Sequence, residues 1–281
     1  MGTIIVCCAH KGGVGKTVTV HNLSYALSRM GKRVLAVDFD DQANLTTCFG
    51  IDAPEQLPIT IADLMDMQIH DENVPDKSQY VHHFNSIDLL ASSLYLSTVS
   101  DAMHLEMGSE RFLSNILNPL RDDYDYIIVD TGPKLDNLTI NALIAADELI
   151  IAVEPQYLST TGLNVLYGTI KKIKRRFNPE LDIAGILLTM CHHRTNLCKI
   201  MSQQIREEFQ TSFPIFHANI PYTVKMGEAV YNAKSILEYA PSCTAATAYQ
   251  NFAIELDKQI NHFKPIKIHC GTSQRKEWNA I

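Results

Sequence analysis

Ala9-His10-Lys11-Gly12-Gly13-Val14-Gly15-Lys16-Thr17 follows an apolar run, Thr3 to Cys8, and precedes residues at helical spacing, Leu23, Ala26, Leu27 and Met30. Strand, glycine-rich turn, helix is the context in which such a turn cradles phosphate. The glycines let backbone N–H groups come close to a polyphosphate, and the following helix turns its positive dipole end toward it. Lys16 is placed to reach the outer phosphates as a point charge, and the Thr17 hydroxyl to ligate Mg²⁺. An ordinary glycine-rich turn has no need of lysine and threonine at these two places. The general pattern G-x-x-x-x-G-K-[ST] has its first glycine where His10 stands here, and Lys11 follows. A second lysine costs charge repulsion near Lys16 unless negative charge sits between them.

Outward from the loop, strand and helix patterns alternate. Lys32 to Asp38 is the second strand, reached through Gly31 as a helix stop. Asp38-Phe39-Asp40-Asp41-Gln42-Ala43-Asn44-Leu45-Thr46 follows, with acidic residues at the end of a strand, where open α/β sheets bind ligands. One of these carboxylates can orient the attacking water or hold Mg²⁺ through water. One aspartate is equally explained as the N-cap of a helix starting at Asp40 or Asp41. Tyr124 to Asp130 is a buried parallel strand ending in a carboxylate, the second nucleotide element of such folds, and Asp130 would hold Mg²⁺ through water. Residues 52–80 are irregular apart from a helical run, Ile61 to Met67. Ile87 to Ala91 is a strand, and helices follow at about 94–106 and 109–120. Further strands run from Asp147 to Val153, Ile183 to Met190 and Phe216 to Ile220. Helices run from Thr160 to Phe177, from about Arg194 and from Ala245 to Phe263. The pattern predicts a doubly wound α/β fold: a mostly parallel sheet flanked by helices, in one phosphate-loop domain over 1–263 with a C-terminal tail at 264–281.

The loop, the D-x-D stretch, the strand ending at Asp130 and Ile220-Pro221-Tyr222-Thr223-Val224-Lys225 occur in the order seen in the ParA/MinD-type (Soj-like) partition ATPases, whose phosphate loop deviates in the same way. The chain resembles that family over about residues 3–263. It departs from the family pattern at Asp41, where D-x-D-P-Q has proline, and at Thr131-Gly132-Pro133, where C-P-P is usual. Gln156 replaces glutamate in the P-E-Y loop, and Tyr222 replaces the first arginine of I-P-R-N-V-R. The resemblance implies hydrolysis of ATP with Mg²⁺. It implies nucleotide binding by Lys11, Gly12, Gly13, Val14, Gly15, Lys16, Thr17 and Val18, with Met190 and Pro221 near the adenine. Lys11, Lys16 and Asp40 would be catalytic, Asp40 by positioning the water. Thr17 and Asp130 would serve the metal, and Arg194 and Lys225 a basic face for nonspecific DNA. It further implies a homodimer closed face to face on ATP, with Lys11 reaching the phosphate of the opposite subunit, and a ParB-like centromere-binding protein that triggers hydrolysis to move a plasmid or chromosome.

Composition sets bounds on these expectations. The 281 residues are 46% hydrophobic and 20% charged, as in soluble globular proteins. No apolar run approaches the ~20 residues of a membrane helix, and the first strand begins too early for a signal peptide. A cytoplasmic protein is expected, nucleoid-associated when ATP-bound. The tail shows no amphipathic stripe, against a membrane partner. Seven cysteines without a C-x-x-C pair fit reduced thiols, and Cys191, His192, His193 and Cys198 match no standard zinc spacing. A net charge of −7 opposes tight wrapping of DNA but not a local basic face. The basic run Lys171 to Arg176 closes a helix, where cations complement the dipole. No helix-turn-helix precedes the loop, so operator binding is not expected. Two other classes share features: an iron–sulfur reductase ATPase, which needs interface cysteines that do not follow Asp130, and a positioning or regulatory switch acting on a protein or membrane target without DNA.

Overall fold

β1 (Thr3–Cys8) is buried along its whole length because strands flank it on both sides and helices cover both faces. The structure, a computed structural model, describes residues 1–156 and 159–263, without the side chains of 159, 160, 262 and 263. The tail at 264–281 and Tyr157 lie outside the described residues. The other strands are β2 (Val34–Phe39), β3 (Val81–Phe84), β4 (Ile87–Leu90), β5 (Tyr126–Thr131), β6 (Glu148–Val153), β7 (Asp182–Cys191) and β8 (Ile215–Pro221). They form one sheet in the order β3-β4-β2-β5-β1-β6-β7-β8, parallel throughout except for the β3–β4 hairpin. This is the doubly wound sheet that the alternation of patterns predicts.

Period-2 alternation sends successive side chains to opposite faces. Ile4, Val6, Leu35 and Val37 join one core, while Ile5, Cys7, Val34 and Ala36 join the other. The first core is covered by α3 (Ile61–Ile69), α4 (Tyr95–Met103), α5 (Phe112–Leu117), α6 (Asn137–Ala145), α7 (Ser159–Arg176) and α8 (Asn196–Phe209). The second is covered by α1 (Lys16–Arg29), the short α2 (Asn44–Cys48), α9 (Val224–Tyr231), α10 (Ile236–Tyr239) and α11 (Thr244–Phe263). Each fully buried leucine or isoleucine contributes about 1.5–3 kcal/mol, so the two faces supply most of the driving force. At the β8 edge the Glu255 carboxylate accepts hydrogen bonds from the N–H groups of His217 (2.8 Å) and Ala218 (3.1 Å). Those donors are thereby closed to pairing with another chain.

Two elements differ from the pattern. The β3–β4 hairpin turns at Asn85, whose φ of 49° lies in the left-handed region that asparagine tolerates. His82-His83 breaks the apolar alternation that would have marked β3. The helix expected at 109–120 is divided: tight 3₁₀ turns at Ser109–Arg111 and Asn118–Leu120 flank α5, because Pro119 lacks the N–H that would continue it. No described helix is long and apolar enough to cross a membrane.

One buried group works against stability. The His21 ring meets Tyr25 and Phe49 edge-on, with centroids 5.2 and 4.9 Å away, and neither ring nitrogen has a hydrogen-bond partner. Burial lowers its pKa to about 4. The unfolded chain therefore takes up the proton first, near pH 6.5, and stability falls as pH drops from there to about 4, by up to about 3 kcal/mol. His21→Leu is expected to raise the melting temperature at pH 7 and to flatten its decline between those two pH values. A variant melting lower, with the acid decline intact, would show that the imidazole has a partner and that the acid sensitivity lies elsewhere.

Candidate functional site: a phosphate loop facing three strand ends

β2, β5 and β1 end level with one another: Asp38 is in register with Asp130, and Asp130 with Cys7. The Thr131 hydroxyl donates to the Cys7 carbonyl at 3.0 Å, tying β5 to β1 where the loop begins. Gly13 (φ 76°) and Gly15 (φ 82°) take the left-handed conformation that bends the loop back over the strand ends. The Thr189 hydroxyl of β7 holds the Val14 carbonyl at 2.7 Å. Helix α1 then starts at Lys16 with no side-chain cap and no acidic residue in its first turn. Its leading N–H groups are left for an anion, as a phosphate cradle requires.

Lys16 is buried in this cradle. Opposite it stand three carboxylates. Asp130 is fully buried, and neither oxygen makes a hydrogen bond of ordinary geometry. Its pKa is pushed up to about 8 by burial and then by Asp38, while the Thr17 hydroxyl and Lys16 pull it down. A buried carboxylate beside a threonine hydroxyl fits hard-cation binding, and Thr17 and Asp130 are the residues that would hold Mg²⁺. Mg²⁺ there would neutralise the triphosphate. Asp38 differs: its Oδ2 accepts from the Thr46 N–H and hydroxyl, both at 2.7 Å, and burial raises its pKa to about 7 against those bonds. Asp40 is mostly buried, its pKa raised by burial, and its Oδ1 accepts from the Gln42 N–H at 3.2 Å. Neither Asp40 nor Asp41 is the N-cap of α2: the helix starts at Asn44 behind Ala43, which is left-handed (φ 50°), and its third N–H, of Thr46, is held by Asp38 from the strand end.

Lys11 behaves otherwise. Its side chain is exposed, and its Nζ donates to Gln156 Oε1 at 2.8 Å, beyond the end of β6. A cavity of about 620 Å³ opens on that side, between His10, Lys11 and Val14 on the loop and Val153, Glu154, Gln156 and Gly162 across from them. It takes in neither Lys16 nor Thr17, so it flanks the phosphate cradle. Buried Gly162 in α7 leaves room for the His10 ring, whose Cγ lies 2.9 Å from where a Cβ would stand.

Further along the C-terminal edge, Cys191 pairs with Pro221, which places Met190 and Pro221 side by side. Met190 holds a strained φ of 51°, and its Cγ lies 3.9 Å from a Cβ position on Gly15. Arg194 and Lys225 are both exposed, after β7 and at the start of α9, and the stacked rings of His192 and Tyr222 join these segments at 4.5 Å. Part of the α7 basic run is engaged within the chain: Lys171 lies over the Tyr167 ring at 4.2 Å, and Lys174 is 3.7 Å from Asp182. Among the described residues, no three His, Cys, Asp or Glu side chains converge as a metal-binding set. Sequence reasoning reached Gln156 only as a departure from the P-E-Y loop, and nothing local marks Thr189 or Gly162.

The Asp130 carboxyl keeps a proton in the folded protein that the unfolded chain gives up near pH 4, so ionising it costs stability progressively from there to about pH 8. Asp130→Asn is expected to melt higher than wild type without ligand, by a margin that widens between about pH 5 and pH 8, and to lose activation by Mg²⁺. A margin independent of pH in thermal melts would show that this carboxyl is not the proton carrier.

The comparisons with known proteins agree with this geometry. A family model described as an AAA domain matches residues 2–183. The sporulation initiation inhibitor protein Soj of Bacillus subtilis is 34% identical over 258 residues, covering 91% of this chain and 98% of that protein. The chromosome partitioning protein ParA of Caulobacter vibrioides is 30% identical, with 90% and 93% covered. Among solved structures, cobyrinic acid a,c-diamide synthase from Mycobacterium smegmatis, with bound ATP analogue and magnesium, superposes with a TM-score of 0.78 at 26% identity, covering 93% of this chain and 96% of that one. With its phosphate loop, its carboxylates at level strand ends and these relatives, the chain belongs to the ParA/MinD-type partition ATPase family and is an ATPase that uses ATP and Mg²⁺.

Proposed function

We propose that this ATPase closes as a homodimer around two ATP molecules, binds DNA nonspecifically in that state, and releases it on hydrolysis triggered by a ParB-like centromere-binding protein. Such a cycle would carry a plasmid or chromosome over the nucleoid. The observation that carries the reading is the contrast between two lysines five positions apart: Lys16 is buried in its own cradle, while Lys11 is exposed on the outer side of the loop. A lysine facing outward is suited to the phosphate of a second subunit, where it would offset charge developing during transfer.

Within one subunit, Lys16 and the loop N–H groups from Gly12 to Val18 hold the phosphates. Thr17 and Asp130 serve Mg²⁺, and Met190 and Pro221 flank the base. Asp40 orients the water; a carboxylate is a weak base, so its contribution is mainly placement. Arg194 and Lys225, on adjacent exposed segments, form the DNA-facing cations. Soj of Bacillus subtilis and ParA of Caulobacter vibrioides support the partition role by likeness.

Asp40→Ala is expected to bind ATP with affinity within about twofold of wild type, yet to turn over on the order of a hundredfold more slowly and persist as an ATP-bound dimer on a sizing column. Full turnover in that variant would move the water-orienting role to Asp38.

In a gel-shift series with ATP, ADP or no nucleotide, only ATP should retard random duplex DNA, and Lys16→Ala should abolish the shift. Arg194→Ala and Lys225→Ala should each weaken it and lower the slope against log salt by about one. Absence of a shift even at low salt would point instead to a switch acting on a protein or membrane target.

A further inference from the structure

We propose that Ser92 is a positioning residue for hydrolysis: from the segment just beyond β4, the strand neighbouring β2, it holds the loop that carries Asp40. The inference rests on the water-orienting reading of Asp40 and adds the residue that fixes it. Leu90, the last residue of β4, pairs with Val37 of β2, so the segment beyond β4 runs beside the Asp40 loop. The Ser92 hydroxyl donates to the Asp40 carbonyl at 2.8 Å, and the Ser92 N–H donates to the Thr46 hydroxyl oxygen at 2.9 Å. That hydroxyl gives its own proton to Asp38, whose other oxygen accepts the Asp40 N–H at 3.3 Å.

The four residues thus close a ring of hydrogen bonds: Asp38, Thr46, Ser92, Asp40 and back to Asp38. Ser92 and Thr46 are fully buried, and Asp40 is nearly so. Each backbone polar group of Asp40 is held by a different side chain, Ser92 on the carbonyl and Asp38 on the N–H. The carboxylate between them inherits that fixed backbone. Ser92 is itself fixed from the far side. The Ile61 N–H donates to the Ala91 carbonyl at 2.8 Å, and the Ser93 hydroxyl lies 3.2 Å from that of Thr60, the residue that opens α3. The geometry therefore braces the Asp40 loop against the β4–α4 segment rather than leaving it tied to β2 alone. Misplacing a reacting water by a fraction of an ångström slows transfer without weakening substrate binding, so Ser92 acts on turnover and not on affinity.

The test uses the full chain with ATP and Mg²⁺. Ser92→Ala should lower single-turnover hydrolysis by about tenfold, the worth of one buried hydrogen bond, and leave the dissociation constant for a fluorescent ATP analogue within about twofold of wild type. Amide hydrogen exchange should quicken across residues 40–46 and stay unchanged in β1 and α1. As a second arm, Thr46→Ser keeps the hydroxyl and should turn over as wild type, while Thr46→Val keeps the shape, loses the hydroxyl and should fall as Ser92→Ala does. Wild-type turnover and exchange in Ser92→Ala overturn the proposal. So does equal loss of affinity and turnover, or full activity in Thr46→Val, which also decides the matter should Ser92→Ala fail to fold. An active Asp40→Ala would sink the water-orienting reading itself. An inert Asp40→Ala beside a fully active Ser92→Ala would sink the bracing role alone.

Discussion

Everything at the site depends on three parallel strands ending at the same height. Parallel register sets Asp38 against Asp130 and Asp130 against Cys7, so two carboxylates and the start of the phosphate loop meet in the buried interior. Burying anionic groups there is unfavourable: burial first, and neighbouring carboxylates second, raise the pKa of both Asp38 and Asp130. The two carboxylates meet it in different ways. Asp38 has a full set of donors from Thr46 and Asp40 and is committed to holding the chain in place. Asp130 has no hydrogen bond of ordinary geometry, only the Thr17 hydroxyl and Lys16 nearby, and is left with the demand for a cation. A single register thus yields one structural and one chemical aspartate from the same residue type at equivalent strand positions.

The same constraint explains why the loop is tied down from outside itself. A chain bent through left-handed glycines gains freedom as well as reach, and that freedom has to be removed for the N–H groups to point at one place. Thr131 and Thr189 do this from β5 and β7, each by donating a hydroxyl proton to a loop or strand carbonyl. The cradle is therefore a property of the sheet as much as of the motif. Helix α1 supplies the dipole, but β1, β5 and β7 fix where it points.

Most of the central fold could be read from the residues because buried parallel strands are near-continuous apolar runs and the covering helices carry apolar spacing. The runs ending at Cys8, Asp38 and Asp130 needed no tertiary information, and the loop residues follow from their motif. What could not be read were relations across the sequence. Asp38 meets Thr46 locally, yet Ser92 joins them from the segment that follows β4; Gly162 meets His10 across about 150 residues. Neither pairing leaves a periodic trace in the chain. The β3 hairpin was missed for a different reason: His82 and His83 hide an edge strand whose one covered face gives too short a signal.

The departures from the family pattern show how far such a motif can drift while its geometry stays. Each departure has a local physical counterpart. His10, where the general phosphate loop but not the family's has glycine, brings a ring that needs space, and α7 presents Gly162 where any Cβ would collide with it. Asp41, in place of proline, gives up a ring that fixes φ. The turn is instead held by the Asp40 carboxylate accepting the Gln42 N–H and by Asp41 accepting from the Gln42 side chain at 2.9 Å. Pro133 is retained against Gly12, so the β5 turn still abuts the loop. Gln156, in place of glutamate, meets Lys11 as a neutral acceptor. A carboxylate there would hold the ammonium by charge as well as by hydrogen bond; an amide holds it by the hydrogen bond alone. An exposed lysine lightly held, beside a buried lysine firmly enclosed, is what a loop needs if one cation is to stay with its own nucleotide and the other is to leave for a second.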